Sequence, residues 1–180
     1  MIEWPLKYDN IFEWLGVRPP RGIMISGPPG TGKTMLAMAI AGENPEIPFY
    51  KLNAPEIVSS LSGQSEEKIR QVFLGVKEKA PAVVFIDELD SIAGKRESAN
   101  KDMEVRIVAQ LASCLDDLDA SGERVVVIGV TSRPETIDQG LRRAGRFERE
   151  ITIGVPNEDA RVEILTKLTK KMRLRDDFPF

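Results

Sequence analysis

Eight consecutive residues, Gly27-Pro28-Pro29-Gly30-Thr31-Gly32-Lys33-Thr34, constrain this chain more than any other stretch. They follow a short apolar run, residues 22–26, with the composition of a buried strand, and they lead into Met35 to Ala41, a run suited to an amphipathic helix. A strand that turns straight into a helix puts that helix's unpaired N–H groups and positive dipole end at the strand's tip, where an anion is favoured. Glycine at 27, 30 and 32 leaves the turn bare, so backbone amides can close on phosphate oxygens that side chains would obstruct. Lys33 then provides a point charge for the β- and γ-phosphates, and the Thr34 hydroxyl a ligand for Mg²⁺. The string predicts a site for a nucleoside triphosphate or its diphosphate product, ATP or ADP with Mg²⁺, built from Gly27, Pro28, Pro29, Gly30, Thr31, Gly32, Lys33, Thr34 and Met35.

The rest of the chain alternates in the same way. Short β-rich stretches at residues 22–26, 49–52, 82–86, 125–130 and 150–155 are separated by segments of helical period, which predicts an α/β domain with a parallel sheet flanked by helices. The clearest helix covers residues 65–80, with Ile69, Val72, Phe73 and Val76 on one face, Ser65 as a candidate cap and Pro81 as the stop. Residues 103–118 repeat the pattern with Ile107, Val108, Leu111 and Leu115, and Cys114 is expected beside that face as a small core residue. Asn157 is placed to cap a last helix carrying Val162, Leu165 and Leu168, after which the tail from Arg173 to Phe180 has no element of its own.

What the chain lacks narrows the chemistry. Its 180 residues contain no histidine and one cysteine, which excludes Ser-His-Asp and Cys-His catalysis, the common zinc sites and an internal disulfide. Catalysis must then rest on carboxylates, lysine, arginine, hydroxyls and backbone amides. A net charge of −3 gives no overall field for nucleic acid, and no run approaches the roughly 20 apolar residues of a bilayer span, so a soluble domain in a reducing compartment is expected.

Val83-Val84-Phe85-Ile86 runs into Asp87-Glu88, putting two carboxylates at the strand end where open α/β sheets hold ligands. Asp87 is placed to hold Mg²⁺ through its water shell, and Glu88 to orient and polarise an attacking water. A second buried run, 126–130, ends in Thr131-Ser132-Arg133-Pro134. Ser132 either donates a hydrogen bond to water or γ-phosphate, or simply helps cap a turn; composition leaves both open. Four arginines, Arg142, Arg143, Arg146 and Arg149, crowd the segment from Leu141 to Arg149. Such a cluster fits a solvated basic turn, a guanidinium finger for another subunit's γ-phosphate, or a nucleic-acid patch; the last is weakened because no aromatic platform alternates with the charges. No N-K-x-D string with base-reading spacing occurs, which argues against a guanine-nucleotide switch, and a small-molecule kinase would not need Glu88 beside Asp87.

With PPRGIMISGPPGTGKT, VVFIDELDSIAGKRE, VIGVTSRPETID and LRRAGRFEREITIGVP in this order, the chain resembles the AAA family of AAA+ ATPases from about Trp4 to Met172. The phrases APEIVSSLSGQSEEKIRQVF and KDMEVRIVAQL look most like the first ATPase domain of the nuclear valosin-containing-protein-like group, which acts in ribosome biogenesis; the valosin-containing-protein group is the close alternative. The resemblance implies a five-stranded parallel sheet, a homo-hexamer, ATP-driven remodelling of protein substrates such as pre-ribosomal particles, and a nuclear or nucleolar location, with the cytoplasm as alternative. It implies roles for Lys33 and Thr34 at phosphate and metal, Asp87 and Glu88 as the Mg²⁺ and water pair, and Arg143 and Arg146 as fingers acting on a neighbour. It places Leu61 at the substrate-gripping pore position, where the family keeps an aromatic. It also puts Ser132 at a sensor position that the family fills with Asn, which leaves a regulatory ATP-binding module with weak hydrolysis as an alternative. The domain reading that follows is a nucleotide-binding α/β subdomain over 1–156 and the start of a truncated helical lid over 157–180, with Ile164 left to contact the base.

Overall fold

The computed structural model describes residues 2–58, 64–93 and 101–173. Two short helices come first, α1 (Glu3–Lys7) and α2 (Asp9–Leu15). Strand β1 (Gly22–Ser26) is followed by α3 (Lys33–Glu43), and β2 (Phe49–Asn53) by α4 (Ala54–Val58) and α5 (Gln64–Glu78). Then come β3 (Ala82–Asp87), α6 (Asp90–Ala93), α7 (Lys101–Ser121), β4 (Val125–Thr131), β5 (Phe147–Thr152) and α8 (Glu158–Thr169). The strands form one sheet in the order β2-β3-β4-β1-β5, every neighbouring pair parallel. Parallel neighbours need long crossovers; helices supply those from β1 to β4, while the chain from β4 to β5 runs through turns and one short 3-10 turn at Pro134–Thr136. This is the α/β class with the five-stranded parallel sheet that the alternation of segments predicts.

Side chains alternate across each strand, so the two faces carry separate cores. Val84 and Ile86 of β3 and Val125 and Val127 of β4 face α5 and α7, meeting Ile69, Phe73, Val76, Ile107, Leu111 and Leu115. Val83, Phe85, Val126, Ile128 and Val130 point the other way, with Ile23 and Ile25 of β1, and meet Leu6 of α1 and Ala37 of α3. Phe49 stacks on Phe85 there, ring centroids 5.9 Å apart. Burial on both faces is why these strands read as unbroken apolar runs. Each buried Val, Ile or Phe contributes about 1.5–3 kcal/mol. Cys114 is buried in the α5–α7 layer as the sequence predicts, and burial pushes its thiol pKa up.

Several expectations need correction. The last strand lies at Phe147–Thr152 rather than 150–155. An edge strand can extend only as far as its partner, and β1 ends at Ser26, opposite Thr152, where the chain turns away at Gly27. Ser65 does not cap α5; it lies inside the helix, fully buried, and its hydroxyl donates to the Ile57 carbonyl at 2.6 Å, tying α5 to α4. Residues 35–41 do form part of α3, where Ala37 is buried and Ile40 packs against the second core while Met35, Leu36 and Met38 are exposed. Asn157 does cap α8, accepting from the Ala160 amide at 2.9 Å, but Val162, Leu165 and Leu168 are exposed. Helices α1 and α2 are additional to the sequence reading. Leu61 and residues 174–180 of the tail lie outside the described residues. No described helix is long and apolar enough to cross a membrane.

Among the described glycines, Gly22 leaves the least room for a side chain. A Cβ there would lie 1.9 Å from the Arg146 carbonyl oxygen and 2.5 Å from its carbon, and both atoms are backbone. Gly22→Ala must therefore displace the start of β5, and it is expected to destabilise the domain by about 1–3 kcal/mol. A lower urea midpoint at unchanged m-value would show this.

Candidate functional site

The ends of β1, β3 and β4 open into one cavity of about 400 Å³, lined by Pro29, Gly30, Gly32, Lys33, Thr34, Met35, Asp87, Glu88, Val130, Thr131 and Ser132. That volume is in the range of small-ligand sites. Its place follows from topology: the chain leaves β1 for the far edge at β2, whereas it leaves β4 for the opposite edge at β5, so the crevice lies where the strand order reverses.

The loop after β1 is shaped by glycine. Gly27, Gly30 and Gly32 have φ of 151°, 80° and 89°, and a Cβ on Gly27 would lie 2.2 Å from the Ile153 carbonyl oxygen. L side chains rarely adopt such backbone, so glycine there is a steric requirement. Gly32 is also the N-cap of α3 and gives it no side-chain cap, leaving the first turn of that helix open to the cavity. The Lys33 ammonium is buried and donates to the Gly27 and Pro28 carbonyls at 2.8 and 2.7 Å, while the Thr31 hydroxyl donates to the Pro28 carbonyl at 2.9 Å. These bonds hold the loop curled. Gly27, Pro28 and Thr31 thus shape the loop without lining the cavity.

Across the loop, the Thr34 hydroxyl donates to Asp87 Oδ1 at 3.2 Å, so the two candidate metal ligands touch. One hydroxyl and one carboxylate form a hard oxygen pair suited to Mg²⁺, but too few donors to hold it alone. No group of three or more Cys, Asp or Glu side chains placed to hold a metal ion occurs among the described residues. The pair fits a Mg²⁺ that arrives with a phosphate chain and keeps several waters. Glu88 is exposed at the cavity, and its φ of 52° is uncommon for a residue with a Cβ. Its amide donates to Asp87 Oδ1 at 3.1 Å.

Ser132 is also exposed at the cavity, between two anchored neighbours. Thr131 Oγ1 donates to Asp90 Oδ1 at 2.9 Å, and Arg133 Nε and Nη2 donate to Asp90 Oδ2 at 2.9 and 2.7 Å. Burial pushes the Asp90 carboxyl up, but the bonds from Arg133 and Thr131 outweigh it and hold the group below the usual carboxylate range. The sequence reading missed Asp90. A carboxylate set between Leu89 and Ile92, both buried, was the available signal, because a buried charge must find a partner.

The arginines are elsewhere. Phe147 pairs with Gly22 at the start of β1, whereas the glycine loop leaves its end; the strand from Phe147 to Thr152 spans about 16 Å at about 3.3 Å per residue. Arg143 and Arg146 therefore flank the edge opposite their own chain's cavity. Arg143 is exposed, and its side chain has no hydrogen bond or ion pair among the described residues. Arg146 is bound to Asp116 of α7 through Nε and Nη2, at 2.7 and 2.8 Å, and its guanidinium holds the Asp116 carboxyl below the usual range. Arg142 pairs with Glu150 at 2.7 Å. Ile164 is exposed and does not line the cavity.

Sheet order, glycine loop and strand-end carboxylates together define a P-loop α/β domain. The chain belongs to the AAA family: the family described as "ATPase family associated with various cellular activities (AAA)" matches residues 23–155. It is 54% identical over 177 residues to the nuclear valosin-containing protein-like protein of Mus musculus, covering 97% of this chain and 21% of that protein. It is 50% identical over 177 residues to the cell division cycle protein 48 homolog of Archaeoglobus fulgidus, covering 98% of this chain and 24% of the relative. Protein CdcH of Halobacterium salinarum is 49% identical over 177 residues, covering 98% of the chain and 24% of that protein. The chain thus spans less than a quarter of the length of these relatives, as an AAA ATPase domain.

Proposed function

We propose that this domain binds Mg·ATP and hydrolyses it within a ring of like subunits, as part of a protein-remodelling machine. The observation that carries this reading is the convergence of Lys33, Thr34, Asp87, Glu88 and Ser132, from three strand ends, on one cavity. In this reading the loop amides and Lys33 grip the phosphates, and Thr34 and Asp87 hold Mg²⁺, which when bound neutralises charge on the β- and γ-phosphates. Glu88 orients the attacking water, and Ser132 donates to that water or to the γ-phosphate. Arg143 and Arg146, on the far edge, serve a neighbouring subunit's site, and the six-membered ring implied by the family resemblance is the assembly proposed. Helix α8 is the start of a helical lid in this reading, with Ile164 as its contact to the base. The resemblance to the nuclear valosin-containing-protein-like group supports pre-ribosomal particles as substrate and a nuclear or nucleolar location. A cytoplasmic segregase of the valosin-containing-protein type is the alternative.

Lys33→Ala in the full-length protein tests the reading. Removing the ammonium strips the loop of its internal tie and the phosphates of a point charge. Calorimetric affinity for Mg·ATP is expected to fall roughly 10- to 100-fold, about 1.4–2.8 kcal/mol. Equal affinity in the variant, or no heat in the parent, would overturn the assignment.

A further inference from the structure

We propose that Asp90 is a positioning residue for hydrolysis, clamping the residues on both sides of Ser132 so that Ser132 and Glu88 stay in register across the phosphate cavity. The proposal rests on the ATP-hydrolysis reading above.

Asp90 is the first residue of α6, two positions after Glu88, and is 7% exposed. Both of its carboxylate oxygens are committed to the end of β4 and the residues just beyond it. Oδ1 accepts from Thr131 Oγ1, and Oδ2 accepts from two nitrogens of Arg133. Thr131 Oγ1 in turn accepts from the Arg133 amide at 3.0 Å, which closes the loop of bonds around Ser132. A backbone bond runs alongside, the Leu89 amide donating to the Val130 carbonyl at 2.8 Å. The end of β3 and the end of β4 are thus fastened together at the point where each presents a polar side chain to the cavity.

Two features make the fastening matter for chemistry. Glu88 sits at φ 52°, and backbone of this kind persists only where its surroundings determine it. The Asp87 carboxylate restrains it on one side, and the Leu89 and Asp90 contacts on the other. Ser132 has a short side chain, so its hydroxyl goes where its backbone is held and cannot reach to compensate for a shift. A bond network serving stability alone could be replaced by apolar packing at little cost, since buried charge pairs seldom improve on it. A network that fixes two reacting-site groups cannot be replaced in that way, because small misplacements cost rate steeply.

The test uses the full-length protein, with single-turnover hydrolysis at saturating Mg·ATP and calorimetric affinity measured side by side. Arg133→Met removes the bidentate partner while Thr131 still donates to Asp90 Oδ1, and a thermal melt confirms that the variant is folded before its rate is read. It is expected to slow hydrolysis about 10- to 100-fold while the Kd for Mg·ATP stays within about threefold. Arg133→Lys should recover part of the rate. Asp90→Asn should match Arg133→Met, and the double variant should be no slower than the worse single one, as for residues acting as a unit. Wild-type hydrolysis in folded Arg133→Met, or losses that multiply in the double variant, would sink the proposal. Should Asp90→Asn not fold, the two Arg133 variants decide alone. Glu88→Gln in the same assays separates the readings. If Glu88→Gln is inactive while Arg133→Met is not, only the clamp fails; if it too hydrolyses normally, the Glu88 assignment fails with the clamp, and only a parent protein without turnover overturns the hydrolysis reading.

Discussion

Glu88→Gln in the full-length protein is expected to lower steady-state ATP turnover by about 10²–10⁴-fold, the usual contribution of a positioned acid–base group, while Mg·ATP still binds. The amide keeps the size and shape of the side chain but cannot accept the proton of an attacking water. No histidine exists to take over, and Asp87, the neighbouring carboxylate, is already engaged by the Thr34 hydroxyl and the Glu88 amide. The variant should therefore trap bound ATP. Turnover assays paired with calorimetry check this, and unchanged turnover would remove Glu88 from the mechanism.

Arg143→Ala is expected to cut turnover of the assembled protein by about 10³-fold or more, in line with other arginine fingers, without changing nucleotide affinity in isolated subunits. Arg143 is the cleaner probe of the two because its side chain is exposed and uncommitted among the described residues. Removing Arg146 would also break its bidentate pair with Asp116 and confuse fold with chemistry. Mixing Arg143→Ala subunits with Glu88→Gln subunits gives the sharper readout. Each is inactive alone, yet a mixed assembly contains sites that take Glu88 from one kind and Arg143 from the other. Activity that appears on mixing supports action between subunits; silence at every ratio, in assemblies shown to contain both, counts against it.

The parts of this molecule that were legible in its sequence share a physical cause. Strands buried on both faces, such as Val83 to Ile86, must be apolar throughout, and a loop that curls at Gly27, Gly30 and Gly32 must be glycine, so both leave marks on the chain itself. What was not legible depends on distant partners. The register of β5 is set by where β1 stops, and Ser65 is buried because Ile57 offers a carbonyl, which no local pattern announces. Helices α1 and α2 are too short for periodicity to reveal, and α1 is held by Leu6 reaching the second core. For the same reason the local reading saw Asp87, Glu88 and Ser132 as strand-end groups but missed Asp90, whose partners lie some forty residues away.

The distance from the start of β5 to the glycine loop has a consequence for symmetry. Each copy carries its phosphate-loop cavity at one end of the strands and the exposed Arg143 near the other. Two copies related by a dyad could pair these patches only if one self-complementary interface spanned both of them. A heterologous, head-to-tail repeat would let every molecule both give and receive, and such a repeat either closes on itself or continues as a filament.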